Sequence, residues 1–404
     1  MADDIRKQLE IRPVTTAYLD QFNDLLSYVF QVTAKEVEES GYEEGELERD
    51  KRPVLKKADV VGWFNGEELV SQVAVYPCRV NIHGVPYKMG GVTGVGTYPE
   101  YAGHGLMHDL IKIALQKMRD NRQWISYLYP YSIPFYRKKG WEIMSDHLTF
   151  DVKDTQLPKQ QNLPGHVERL EIDDPDVINT YNRFARKTHG AMLRNQLNWD
   201  EYWRWENEEE RVAGVWYDEN DVPQGFVLYW IANEVFHIKE MVYITQEARI
   251  ALWNFIAAHF SMVEHVRGNI YKNEPLHFLL DDGDIKQTIK PYYMARIVDV
   301  FEFLRQYPFA EQGTPFHFKV TDPMAEWNNG IFGVQWVDDG ELEISHDPIG
   351  EEVALDIQTL TTMLMSYRRP SYLAKIERIQ ASPRAIRNLE NLIPVDEPYF
   401  SDYF

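Results

Sequence analysis

The run Val92-Thr93-Gly94-Val95-Gly96-Thr97-Tyr98-Pro99-Glu100-Tyr101-Ala102-Gly103-His104-Gly105-Leu106-Met107, followed on to Tyr136, decides how this chain folds. Val92, Val95 and Thr97 suit a strand, and Pro99 ends it. Gly103-His104-Gly105 then stands at the mouth of a helix in which Leu106, Met107, Leu110, Ile111, Ala114, Leu115 and Met118 recur at helical spacing. A loop of free N–H groups at a helix N-terminus is suited to an anion. Another strand follows over residues 124–129, and then the string Pro134-Phe135-Tyr136-Arg137-Lys138-Lys139-Gly140-Trp141.

On the N-terminal side, residues 10–35 read as a helix with Leu19, Phe22, Leu25, Leu26, Val29 and Phe30 on one stripe. Strands come next. Residues 60–64 turn through Asn65-Gly66 into 69–76, pass Pro77, and reach 85–89 and 92–97 by way of His83-Gly84. This first region spans residues 1–150. A Gln-, Pro- and Lys-rich linker at 155–165 ends in Leu163-Pro164-Gly165.

Over residues 165–290 the pattern partly repeats: strands at 215–217, 226–231 and 235–244, then a helix at 248–260 that Thr245 could cap. Its strand-to-helix joint, Ile244-Thr245-Gln246-Glu247-Ala248, has no glycine, and Glu247 would repel a phosphate. A third region, 291–404, opens with Met294-Ala295-Arg296-Ile297. It carries strands at 316–320 and 331–336 around Asn328-Asn329-Gly330, a strand at 341–345 and a helix at 357–367.

Composition narrows the function. A hydrophobic fraction of 44% with 13% aromatic residues belongs to a folded chain, and 404 residues allow two or three domains. A net charge of −21 opposes nucleic-acid binding, which needs a basic surface, and favours cationic partners by steering. Eight acids fall between Glu36 and Asp50, either a solvated face or a rim that gathers polyamines or lysine side chains. The N-terminus has no apolar targeting stretch and no run approaches a membrane span, so a cytoplasmic location is expected.

The single cysteine, Cys78, sits in an apolar strand as a small core residue. One cysteine cannot build a thiolate zinc cluster, and no histidine pair has ligand spacing, so no metal is expected. Gly91, Gly94 and Gly96 lack the third glycine of a dinucleotide fingerprint, and there is neither a Walker A loop nor an HExxH motif.

The run from Tyr98 to Met107, together with Phe135-Tyr136-Arg137-Lys138-Lys139-Gly140-Trp141, resembles the acyl-CoA site of GNAT N-acetyltransferases. Ala102 departs from the Arg or Gln of that pattern, and Met107 from its Gly or Ala. The second region resembles another GNAT fold without a CoA site, and the third a sterol-carrier-like domain. Tandem GNAT folds followed by a sterol-carrier-protein-like α+β domain, an α/β (α+β) chain throughout, are similar to the Eis family (enhanced intracellular survival N-acetyltransferases), its Gram-positive members in particular.

That resemblance implies acetyl-CoA as cosubstrate, a cationic primary amine (an aminoglycoside or a lysine side chain) as acceptor, direct transfer in a ternary complex, and a homo-oligomer, a hexamer. It implies that backbone N–H groups near Val95, Gly96 and Thr97 meet the thioester, Gly96 letting the cofactor approach. Gly103, His104, Gly105, Leu106, Met107 and His108 would cradle the pyrophosphate, and Tyr131 and Ser132 would line the channel. Tyr136 would be the general acid, since a phenol with a pKa of about 10 keeps its proton at neutral pH.

The base is less evident: His104 and His108 belong to the loop, and His147 stands alone. Four aromatics in the last six residues are unusual for a frayed terminus. The resemblance implies that the terminal carboxylate, on Phe404, is threaded into the active site as base, while Asp402 could meet a substrate ammonium. Two rival functions remain at this point, a non-catalytic lipid carrier and an acyl-CoA-binding regulatory protein.

Overall fold

A computed structural model describes residues 5–30, 55–204, 211–271, 275–337 and 340–404. The acidic run from Glu36 to Asp50 lies outside the described residues. Three sheets carry the chain. The first is built from β1 (Leu9–Pro13), β2 (Asp59–Asn65), β3 (Glu68–Ile82), β4 (Val85–Thr97), β5 (Ile125–Leu128) and β6 (Glu142–Ile143). The second takes β7 (Asp146–Lys153), β8 (His166–Leu170), β9 (Val212–Tyr217), β10 (Pro223–Ala232), β11 (Val235–Tyr243), β12 (His265–Ile270) and β13 (Lys286–Pro291). β14 (Met294–Ile297) precedes the third sheet, which holds β15 (Phe316–Thr321), β16 (Gly330–Trp336), β17 (Leu342–Ser345), β18 (Glu351–Asp356) and β19 (Gln380–Ala381).

Met294–Ile297 does not open the third region. β14 lies between β5 and β6, in the order β1-β2-β3-β4-β5-β14-β6, and pairs antiparallel with both. β7 in turn crosses into the second sheet, between β13 and β12. The first two folds therefore exchange a strand, and neither sheet is complete without chain from beyond its own region. All four residues of β14 are buried, as a strand covered on both faces requires. Arg296 is the exception to an apolar run. Its guanidinium donates to the Lys139 carbonyl at 2.6 Å and pairs with buried Asp322 at 2.5 Å, tying the first sheet to the third region.

The expected helix over 10–35 is shorter. Leu9 to Pro13 form the edge strand β1 on β2, and helix α1 begins only at Leu19 and is described to Phe30. Alternation decides this, because Leu9 and Ile11 pack with Trp63 in one cluster. Leu19, Phe22 and Leu25 form the buried stripe of α1, while Phe30 is exposed.

Helix α2 (Leu106–Asp120) covers one face of the first sheet, packing Leu106, Leu110, Ala114 and Met118 against Val73, Val75, Val92 and Leu128. The opposite face, with Tyr76, Met89 and Tyr127, joins a core that runs on into the third region. Among the described residues, no helix is long and apolar enough to cross a membrane.

Two features recur in the first and second sheets. β4 is bulged between Thr93 and Gly96 against β3, with Gly94 at a positive φ of 59°. It pairs with β5 from Met89 to Gly91, although it continues to Thr97. β11 is likewise bulged at Lys239 against β10. It pairs with β12 from Val235 to Ile238 and continues to Tyr243. Each sheet thus opens between a bulged strand and its parallel neighbour.

Candidate active site

The glycine loop forms as the sequence implies. Gly103 and Gly105 have φ of 79° and 77°, conformations that only glycine takes at low cost. Gly105 is the N-cap of α2 and supplies no side-chain cap, so the first N–H groups of the helix, from Leu106 and Met107, keep their donors for another partner. A Cβ at Gly103 would meet nothing within 4 Å, which leaves room beside the loop. His104 carries a buried Nδ1 that no protein group satisfies. An anion with several oxygens fits this cradle, and the donors match a pyrophosphate.

Two cations missing from the sequence reading stand beside it. Lys139 Nζ lies 2.7 Å from His108 Nδ1, and desolvation holds both groups below their ordinary pKa, with the Lys139 charge also acting on His108. Arg6 donates to the His104 carbonyl at 3.5 Å and pairs with the Asp109 carboxylate. Lys139 lies inside the quoted motif and could have been noticed there. Arg6 has no local signal, since a strand pairing at the sheet edge brings it to the loop.

Val95 sits half-buried within the bulge. Thr97 is tied through its hydroxyl to Ser71 at 2.7 Å, and the Gly96 carbonyl accepts from Ser71 Oγ at 3.2 Å. The open side of Gly96 faces protein: a Cβ there would touch Leu25 and Val29 of α1 at 3.4 Å. That is ordinary van der Waals contact, so packing against α1 does not by itself require a glycine at 96. Ser132 caps the short helix α3 (Ile133–Arg137) through its backbone, accepting from the Tyr136 N–H at 3.2 Å. Tyr131 is 81% exposed, with its ring edge-on to Phe30 at 6.2 Å.

Tyr136 is buried among Val92, Leu106 and Leu128 on the α2 face of the sheet, with its ring against Phe135 and Trp141. Burial pushes its phenol up to about 12. Phe404 packs against the other face. Its ring lies near Tyr76, Tyr293 and Phe400 at 6.2, 5.4 and 6.3 Å, and its N–H donates to the Tyr293 hydroxyl at 3.3 Å. A Cβ on Gly91 would stand 2.7 Å from that ring. Gly91 is the last β4 residue paired with β5, so the Phe404 ring lies at the strand opening, on the face of the sheet opposite to the cluster that holds Tyr136.

The C-terminal tail is anchored by buried charge. Asp402 accepts from Arg194 Nε at 2.7 Å and from the Tyr181 hydroxyl at 3.2 Å, while its own carbonyl accepts from the Tyr292 hydroxyl at 2.9 Å. Arg194 also reaches Glu240 at 3.5 Å, and Tyr399 and Ser401 donate to that same carboxylate. Burial pushes the Asp402 carboxyl up, against the opposing pull of Arg194. The sequence reading that Asp402 could meet a substrate ammonium fails, because its cation is Arg194. His147 also leaves the site: it belongs to β7, hydrogen-bonded to Asn269 at 2.8 Å and stacked on Tyr271.

Comparison with known proteins agrees with this architecture. An acetyltransferase (GNAT) domain matches residues 10–144, a second acetyltransferase (GNAT) domain matches 190–297, and a sterol carrier protein domain matches 300–401. The N-acetyltransferase Eis of Mycobacterium tuberculosis (strain CDC 1551 / Oshkosh) is 24% identical over 354 residues, covering 82% of this chain and 85% of the relative. Among solved structures, a conserved protein of unknown function and probable N-acyltransferase from Enterococcus faecalis V583 superposes with a TM-score of 0.88 at 26% identity, covering 98% of this chain and 99% of that one. Eis1 of Mycobacterium abscessus superposes with a TM-score of 0.79 at 18% identity over 98% of this chain and 100% of its own, a likeness of fold. Two GNAT folds followed by a sterol-carrier domain make this protein a GNAT acyltransferase, similar over most of its length to the Eis N-acetyltransferases.

Proposed function

We propose that this acyltransferase uses acetyl-CoA and acetylates primary amines, in aminoglycosides or lysine side chains, with residues 1–150 as the catalytic region and the tail of region 291–404 completing the site. The observation that carries this is the placement of Phe404 over Gly91, at the opening between β4 and β5, with Tyr136 in the cluster on the other face of the sheet.

Acetyl-CoA, when bound, supplies an activated acetyl group and a thiolate leaving group. The chain supplies the rest. Backbone N–H groups from Gly103 to Met107, with the His108 side chain and Lys139 nearby, would hold the pyrophosphate. The β4 backbone at Val95, Gly96 and Thr97, in and just after the bulge, would hold the arm, beside Tyr131 and Ser132. Tyr136, whose proton is retained to about pH 12, would protonate the departing sulfur. The Phe404 carboxylate would take the proton of the attacking amine. An α-carboxylate of pKa about 3.5 is a weak base, so a partly dry setting or one bridging water helps it.

The net charge of −21 favours cationic partners, which supports an amine acceptor. The family resemblance adds a hexamer, tested by sedimentation of the full chain, and a cytoplasmic location.

Thiol release from acetyl-CoA, measured with and without a polyamine aminoglycoside or a lysine peptide, tests the reading. Release that depends on the amine supports it. Binding of CoA without release for any amine would instead favour the regulatory reading, and no binding the carrier.

A further inference from the structure

The second GNAT fold lacks the glycine cradle, and the chain enters helix α6 (Gln246–Ala257) within two residues of β11, with Thr245 capping the Ala248 N–H. A fold that had only lost its cofactor would be expected to close the gap between its strands. Unpaired backbone groups are costly, and protein interiors leave few voids larger than a water molecule. The gap has stayed open. Where β11 and β12 part after Ile238 and Gly268, a cavity of about 250 Å³ passes between them.

Its walls come from both faces of the sheet. Ile238, Trp253 and Leu276 line it on the α6 face. Phe184, Tyr271 and Tyr399 line it on the face covered by helix α4 (Pro175–Ala185). The cavity is therefore a slot through the sheet, and its surface is mostly aromatic and aliphatic.

Its polar end is cationic. Arg183 and Lys187 line it on the α4 side. Arg183 is held by neutral acceptors, the Pro223 carbonyl at 2.6 Å and Gln224 Oε1 at 3.0 Å, with Asp218 behind Gln224 at 2.8 Å from its Nε2. Its hydrogen-bond acceptors are neutral while its charge also acts on the Asp218 carboxylate, so the guanidinium keeps part of its charge to offer an anion. Lys187 is exposed, so it can swing to the mouth without losing a buried contact.

Size completes the specification. An apolar cavity of ~150 Å³ takes benzene, so this one has room for roughly ten heavy atoms. A nucleotide is excluded by that size and by the missing cradle. The geometry points to a second ligand site in this protein: the strand gap of the second GNAT fold binds a slender apolar monocarboxylate, with its chain or ring between β11 and β12 and its carboxylate at Arg183 and Lys187. The site is separate from the acetyl-transfer cleft and does not depend on that activity.

Octanoate, with octylamine and 1-octanol as controls, tests this by calorimetry on the full chain. One saturable octanoate site per chain is expected, with octylamine failing to bind and octanol at least tenfold weaker. Lys187→Glu should weaken octanoate at least tenfold with no change in the melting temperature of the free protein, because the side chain is exposed. Met241→Trp, at a half-buried lining position, should fill the slot and abolish binding. Three results would overturn the proposal: no saturable octanoate binding at millimolar concentration, equal binding of octylamine, or octanoate binding that survives both substitutions. In the last case the ligand lies elsewhere in the chain.

Discussion

The Phe404 ring sits over Gly91 so closely that a Cβ there would stand 2.7 Å from it. Glycine at 91 is what lets the last residue of the chain reach the point where β4 leaves β5. Gly91→Ala should therefore push the ring aside. Overpacking of this kind costs about 1–3 kcal/mol, and turnover should fall at least tenfold. Adding Phe404→Leu should relieve the clash and restore much of the stability measured by denaturation. Unchanged turnover in Gly91→Ala would show that the position of the ring does not matter to the reaction.

Tyr136→Phe removes one hydroxyl from a buried ring and leaves its packing. Turnover should drop by about 10²-fold or more, the usual scale of a lost general acid, while calorimetric affinity for acetyl-CoA stays within about twofold. A variant as fast as the parent would take Tyr136 out of the mechanism.

Arg194 lies between two buried carboxylates, Asp402 and Glu240. Removing one member of a buried ion pair typically costs about 3–5 kcal/mol, since the remaining charge stays buried. Arg194→Met should show a loss of that size in urea unfolding, and turnover should fall because the tail that positions Phe404 is no longer held. A stable, fully active Arg194→Met protein would mean that the network does not anchor the tail.

His83 is at the junction of three regions. It stacks on His189 with ring centroids 3.5 Å apart, its backbone N–H donates to His189 Nδ1 at 3.1 Å, and its ring Nε2 lies 3.4 Å from the Leu364 carbonyl. Desolvation lowers its pKa to about 4, opposed by the Leu364 carbonyl and Asp396 and assisted by Arg369. With the folded value below the unfolded 6.5, the unfolded chain binds more protons between those two pH values. Stability is then fully present above pH 6.5 and lost as pH falls towards 4, by about 3 kcal/mol for this group. His83→Asn, which tolerates the positive φ of 47°, should flatten the unfolding free energy over that window relative to the parent. Parallel pH profiles would place the acid sensitivity elsewhere.

Much of the fold could be read locally. Asn65-Gly66 and His83-Gly84 announced their hairpins, and the period of residues 106–118 announced α2. Gly103 and Gly105 marked the cradle because only a left-handed backbone needs them there. What escaped was set by pairing across the chain. Nothing within Met294–Ile297 says which sheet it joins, and Arg194 meets Asp402 across more than two hundred residues of sequence. The missing glycine at residues 244–248 goes with a two-residue connection from β11 into a Thr245-capped helix. It was silent about the strand gap beside it, which depends on where the β11–β12 register ends.

The terminal carboxylate is the centre of the account, and one added residue tests it. A single glycine appended after Phe404 moves the carboxylate by about 3.5 Å and leaves the ring, Asp402 and Tyr399 free to keep their contacts. Amine-dependent thiol release by the extended protein should fall at least 100-fold, with acetyl-CoA affinity and unfolding midpoint close to those of the parent. Equal release rates for the two proteins would contradict the assignment of the Phe404 carboxylate as the base.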